Sequence, residues 1–107
     1  GDAESKVFLA QVELLQRVQE IEDPIAVLQT AAEAKLADFE VHLAAADVEC
    51  YSRRPEAAFA RLLDVIRVTS GKERDIVRER LLELFEIVGK DSPAVSQARR
   101  ELASALF

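Results

Sequence analysis

Apolar residues recur along this chain at helical spacing in six blocks. Phe8, Val12, Leu15 and Val18 form the first stripe, between Glu4 and Glu20, with glutamine and glutamate on the opposite side. Asp23 and Pro24 then supply an acceptor side chain and a proline, which together open a helix, and Ile25, Leu28 and Ala32 follow on one side. Phe39, Leu43, Ala46 and Cys50 mark the third block. Ala58, Phe59, Leu62, Leu63, Val65 and Ile66 mark the fourth, a stripe wide enough to pack on two sides. The fifth runs through Val77, Leu81, Leu84, Phe85 and Val88 to Gly89, a residue that closes a helix in a left-handed conformation without a Cβ penalty. Ser92 and Pro93 start the sixth, with Val95, Ala98, Leu102, Ala105 and Leu106 on its stripe. The pattern predicts an all-α fold of six helices, of about 17, 11, 14, 14, 16 and 14 residues. The short links make successive helices antiparallel neighbours, most clearly the pair on either side of Gly89.

Local chemistry settles some boundaries better than others. Nothing between Thr30 and Tyr51 breaks a helix, yet a single helix of about 28 residues would be longer than most globular ones, so a break is expected at Lys35 to Ala37, with Asp38 capping the third helix. Arg53, Arg54 and Pro55 punctuate the next junction. The fourth helix is expected to end around Thr69, Ser70 and Gly71. Ala105, Leu106 and Phe107 are expected to tuck into the bundle, because undocked termini fray, and Leu81 and Phe85 to sit in the core.

Composition narrows the function classes. With 107 residues, 50% of them hydrophobic and 32% charged, the chain is one folded domain. A net charge of −6 argues against a phosphate-backbone partner, so no nucleic acid is expected. No apolar run approaches the length of a membrane span. The single cysteine, Cys50, excludes an internal disulfide and a thiolate metal cage, and fits a reducing cytoplasm. Gly1 stands where a methionine would begin a gene product, and the first helix starts almost at once. We expect a piece of a longer protein, with the first helix belonging to an upstream partner.

Candidate chemistry is sparse. Carboxylates are many, but none pairs in sequence with a base, a glycine loop or a second histidine, so neither an enzyme nor a cofactor is expected. His42 has only Asp38 as a ligand at helical spacing, and no metal is expected. Arg53, Arg54, Arg61 and Arg67 lie among Glu49, Glu56 and Asp64 and read as a solvated mixed surface. Arg78, Glu79, Arg80 and Glu83 read as surface pairs, and Arg99, Arg100 and Glu101 as solvated.

Two passages carry a family resemblance. LAAADVECYSRRPEAAFARLLDVI, Leu43 to Ile66, resembles a tetratricopeptide repeat, with small Ala46 where two helices cross and Ala58 in a closely packed slot. RERLLELFEIVG, then DSPAV and the terminal RRELASALF, is similar to the C-terminal end of bacterial thioredoxin-like co-chaperones (chaperedoxins), whose helical repeat region follows a thioredoxin domain. The likeness covers Ala37 to Phe107 and implies a break before the Phe39 helix. It implies a degenerate tetratricopeptide-like superhelix of stacked antiparallel hairpins: 1–36 the remainder of an upstream repeat, 37–69 a repeat-like hairpin, 71–107 a C-terminal hairpin. It further implies a cytoplasmic, non-enzymatic module that binds unfolded or oxidised clients, the chaperonin, or its own upstream thioredoxin domain. No Cys-x-x-Cys and no strand stand here to supply that domain. The repeat register, transferred to this chain, places partner-binding positions at Glu40, Leu43, Ala44, Asp47, Cys50 and Tyr51. The plainer reading gives Leu43 and Cys50 to the core and leaves Glu40 and Asp47 solvated, with Tyr51 the best single binding candidate. The sequence departs from the repeat at Arg53, where a turn glycine is usual, and at His42, where a large aromatic is common. A different role also fits the pattern, a structural domain that self-associates or braces the thioredoxin domain; an exposed apolar patch on the first helix would mark it.

Overall fold

The computed structural model describes residues 1–107 and contains six α-helices and no strand. They are α1 (Asp2–Gln19), α2 (Pro24–Glu33), α3 (Phe39–Tyr51), α4 (Pro55–Val68), α5 (Gly71–Val88) and α6 (Pro93–Leu106). Pro24, Pro55 and Pro93 each occupy the first helical turn, where a missing N–H leaves no carbonyl unpaired. The Asp23 carboxylate accepts from the Ala26 N–H at 3.1 Å. Gly89 ends α5 with φ 101, and Gly71 opens α5 rather than closing α4.

The expected break between α2 and α3 falls at Ala34 to Asp38, and it is held by more than a local cap. The Asp38 side chain makes no capping hydrogen bond. Instead the Lys35 carbonyl accepts from the Asp38 N–H at 3.0 Å and from His42 Nε2 at 3.0 Å, so a buried side chain of α3 pins the connector.

α3 and α4 form the central hairpin. α1 and α2 both pack on α3, α5 and α6 both pack on α4, and α1 closes the arrangement by lying along α5 as well. The Cα radius of gyration is 13.2 Å, matching the roughly 13 Å of a globular chain of this length, so the helices close on one core. That core draws Leu14 from α1 and the main apolar residues of α3 to α6. Ala45, Ala46 and Ala58 are fully buried, and their small side chains let the helix backbones of the hairpin approach closely. Phe59 and Phe85 meet edge to face with ring centroids 4.9 Å apart, and Arg99 of α6 stacks over Phe85 at 5.0 Å. Arg99 is therefore engaged rather than simply solvated. No helix is long and apolar enough to cross a membrane.

Four further sequence expectations change. α1 turns Ala10 and Leu14 inward while Phe8 and Leu15 stay exposed, so its buried stripe is not the one its largest residues mark. In α2 it is Ala31 that is buried and Ile25 that is exposed. α6 leans on α4 rather than lying beside α5, because the α4 stripe is wide enough to take both helices. Ala105 and Leu106 pack against the core, but Phe107 is fully exposed.

Candidate functional site

α3 is the helix on which the site is built. It is buried on nearly every side, and it carries His42, Asp47 and Glu49 into the interior with its alanines and valine. Buried charge has to be paired and hydrogen-bonded to be tolerated. Each of these three side chains meets an arginine from another helix.

At the junction of α1, α3 and α5, Arg17 donates from Nε and Nη2 to the two Asp47 oxygens at 2.9 and 3.1 Å. Arg80 of α5 donates to the same carboxylate at 2.7 Å. Arg17 also reaches Glu83 of α5, through Nη1 at 3.3 Å and through a closer contact from Nη2. Burial alone would lower the Arg17 pKa, but the hydrogen bonds to Glu83 and Asp47 outweigh it and the guanidinium is held charged. Burial likewise works to raise the Glu83 carboxyl, and the hydrogen bonds from Arg17 and Glu13, with the charges of Arg17 and Arg80, hold it below its ordinary value. Glu13, at the rim, shares its hydrogen bond with Glu83 and is raised by that contact first, then by desolvation and by Glu83's charge.

A second network lies on the opposite side of α3. Arg61 of α4 grips Glu49 with Nε and Nη2 at 2.8 and 3.2 Å, and its Nη1 donates to His42 Nδ1 at 3.0 Å. His42 Nε2 donates to the Lys35 carbonyl, so the ring bridges Arg61 to the connector. Every buried side-chain nitrogen and oxygen has a partner. These pairings correct the reading of Arg61, Arg80 and Glu83 as surface charges: they link different helices, which no spacing of three or four residues could reveal.

The six positions transferred from the repeat register share one face of α3, toward α1 and α5, but divide between two depressions. A groove of about 860 Å³ is lined by Cys50, Tyr51, Leu14, Leu15, Ile87 and Val88, with Gln11, Arg53 and Pro55 at its edge. Tyr51 is 53% exposed there. Cys50 is 7% exposed, and burial first, then the negative charges of Asp47 and Glu83, push its thiol up to about 11. A smaller depression of about 280 Å³ collects Glu40, Leu43, Ala44 and Asp47 with Arg17 and Arg80. Glu40 is exposed and Ala44 partly so; Leu43 and Asp47 are buried. Asp47 is thus not solvated, and it is an ion-pair anchor for α1. α1 lies between the two depressions, contributing Leu14 to one and Arg17 to the other. Sequence reasoning missed Arg17, although a signal was present: it stands in the apolar register of Ala10, Leu14 and Ile21.

No three His, Cys, Asp or Glu side chains converge where they could hold a metal ion. What the face offers is an apolar groove beside an acidic, guanidinium-bridged cluster, an arrangement suited to binding a polypeptide.

Known proteins narrow this further. The tetratricopeptide repeat family matches residues 18–107. Over all 107 residues the chain is 41% identical to an uncharacterised protein of Mycobacterium tuberculosis and to one of Mycobacterium bovis. It spans 34% of the length of each of these curated relatives. No solved structure matches it. Repeats of this kind generally mediate protein–protein interaction. With six helices and no strand, and with the match covering most of its length, the chain belongs to the tetratricopeptide repeat family.

Proposed function

We propose that the chain is a non-enzymatic protein-binding module of a thioredoxin-like co-chaperone, which captures unfolded or oxidised client proteins or presents them to a chaperonin. The observation that carries this reading is the apolar groove at the end of α3, where half-exposed Tyr51 stands beside Leu15, Ile87 and Val88. Capture is non-covalent. An aromatic with a polar tip gives an exposed peptide large contact area at low entropy cost. Glu40 and Glu20, at the neighbouring depression, favour basic segments, in keeping with the net charge of −6. The likeness of Ala37 to Phe107 to the C-terminal end of such co-chaperones supports the partner class. The greater length of the mycobacterial relatives supports a further domain in proteins of this kind. Within the module we take 1–36 as the remainder of an upstream repeat, 37–69 as the central hairpin and 71–107 as the C-terminal pair.

Titration of the chain against purified chaperonin and against a reduced, unfolded client tests the reading. Saturable binding is expected, weakened about tenfold by Tyr51→Ala. Absence of binding to both, with an intact helical spectrum, would reject it.

One feature favours a second role. Phe8, Leu9 and Leu15 on α1 are 67, 56 and 41% exposed, an apolar strip that fits self-association or bracing of a thioredoxin domain. Light scattering that gives a dimer, dissociated by Phe8→Ser, would support it.

A further inference from the structure

α1 is held to the rest of the fold by helices other than its neighbour in sequence. It scarcely touches α2, packs on α3 and α5, and is joined to the rest by Glu20 to Asp23 alone. Of its 18 residues only Ala10 and Leu14 are buried. The match to the repeat family starts at Val18, directly after Arg17.

We infer that α1 is a displaceable occupant of the face formed by α3 and α5, and that this face takes a partner helix bearing an apolar residue and, three positions on, an arginine, in the register of Leu14 and Arg17. The inference deepens the protein-binding reading above and rests on it. Its ground is charge complementarity with a specific shape. The seat holds two carboxylates, Asp47 and Glu83, that Arg17 bridges with three of its nitrogens. A guanidinium fork can serve both at once, whereas an ammonium is a point charge. Leu14 fills the adjoining apolar site and is part of the core cluster.

The geometry also makes release of α1 tolerable. Arg80 stays 2.7 Å from Asp47 when Arg17 leaves, so the buried carboxylate is not stranded. Glu13 departs with α1, which takes one negative charge away from beside Glu83. An arriving helix restores both the apolar and the guanidinium contacts and replaces α1 as the wall of the groove facing Tyr51, Ile87 and Val88.

The test uses the whole chain and a fluorescent peptide of residues 2–19, followed by anisotropy. The peptide should bind the unaltered chain weakly, because tethered α1 competes. It should bind a chain carrying Arg17→Ala about tenfold more tightly, since the competitor loses its charged hydrogen bonds. Arg17→Ala in the peptide should abolish binding to both. If the altered chain loses its helical spectrum, Leu14→Ala in the chain takes its place with the same expectation. No saturable binding to the altered chain, or equal binding with and without the peptide's arginine, overturns the inference. The client titration on the same chains separates the two readings. Saturable client capture by both chains without peptide exchange on either leaves the module reading standing and overturns the role of α1. Peptide exchange without client or chaperonin capture supports the role of α1 and overturns the client reading.

Discussion

Arg17 holds both carboxylate oxygens of Asp47 across the junction of α1 and α3, and Arg80 holds one of them from α5. Three helices therefore meet on one side chain that is only 3% exposed. Removing the carboxylate leaves two partly buried guanidinium groups competing for Glu83. Asp47→Ala is expected to cost about 3 kcal/mol in urea unfolding, in the range for breaking one side of a buried ion pair. Asp47→Asn, which keeps the shape and some hydrogen bonds, should cost less, about 2 kcal/mol. A loss below about 0.5 kcal/mol for the alanine variant, the level of an ordinary surface pair, would show that the network contributes nothing net.

Glu13 and Glu83 give the same junction a pH signature. Glu83 is held below its ordinary value, so its contribution to stability is present above the unfolded value of 4.5 and is lost as pH falls through the lower folded value. Glu13 is raised, so its contribution has the opposite sign: full below 4.5, lost as pH rises through the folded value. At neutral pH ionised Glu13 is a liability. Glu13→Gln should raise the thermal midpoint at pH 7, and that advantage should shrink as the pH approaches 4.5. An advantage unchanged across that range would place its origin elsewhere, for example in helix propensity.

The periodic parts of this fold are legible in the sequence because each helix must bury a stripe. The six apolar residues of α4 lie where their spacing puts them, as do Val77, Leu81, Leu84 and Phe85 of α5. α1 misleads for a physical reason: it has two apolar stripes, and the larger side chains, Phe8 and Leu15, lie on the exposed one. The buried stripe of Ala10 and Leu14 continues into a charge, Arg17, which looks polar until its partners are known. Those partners lie on α3 and α5, far away in sequence. His42 likewise finds its partners outside its own helix, Arg61 on α4 and Lys35 in the connector. Local spacing carries no information about such pairs. The repeat register points to the face of α3; it does not reveal that α1 lies across it.

Cys50 should behave as a shielded thiol. With its pKa pushed up to about 11 from 9.0, the folded chain holds about a hundredfold less thiolate near pH 8 than the unfolded chain, and burial restricts access further. Alkylation by iodoacetamide should be at least that much slower in buffer than in urea, with the native rate still climbing above pH 10. Because the unfolded thiol ionises first, stability should decline as pH rises from about 9 to about 11. Rapid native labelling at pH 7 would contradict the shielding and reopen a redox role for this residue.

Arg53 supplies the last prediction. α3 ends with the Arg54 N–H bonded to the Glu49 carbonyl at 2.9 Å and the Arg53 N–H to the Cys50 carbonyl at 3.2 Å, the paired bonds of a Schellman ending. That ending requires a left-handed residue, and Arg53 takes it with φ 65, at a position where a tetratricopeptide repeat usually has glycine. A side chain with a Cβ costs roughly 1–2 kcal/mol in that region, and glycine gives back roughly 0.5–1 kcal/mol through its looser unfolded chain. The Arg53 side chain is exposed and makes no hydrogen bond or ion pair, so little else is lost on truncation. Arg53→Gly is therefore expected to stabilise the chain by about 0.5–1 kcal/mol in urea unfolding. Arg53→Ala, which keeps the Cβ, should not. If client binding falls in the glycine variant while stability rises, Arg53 stands at the groove for recognition, at the expense of the turn; if binding holds, its side chain is dispensable there.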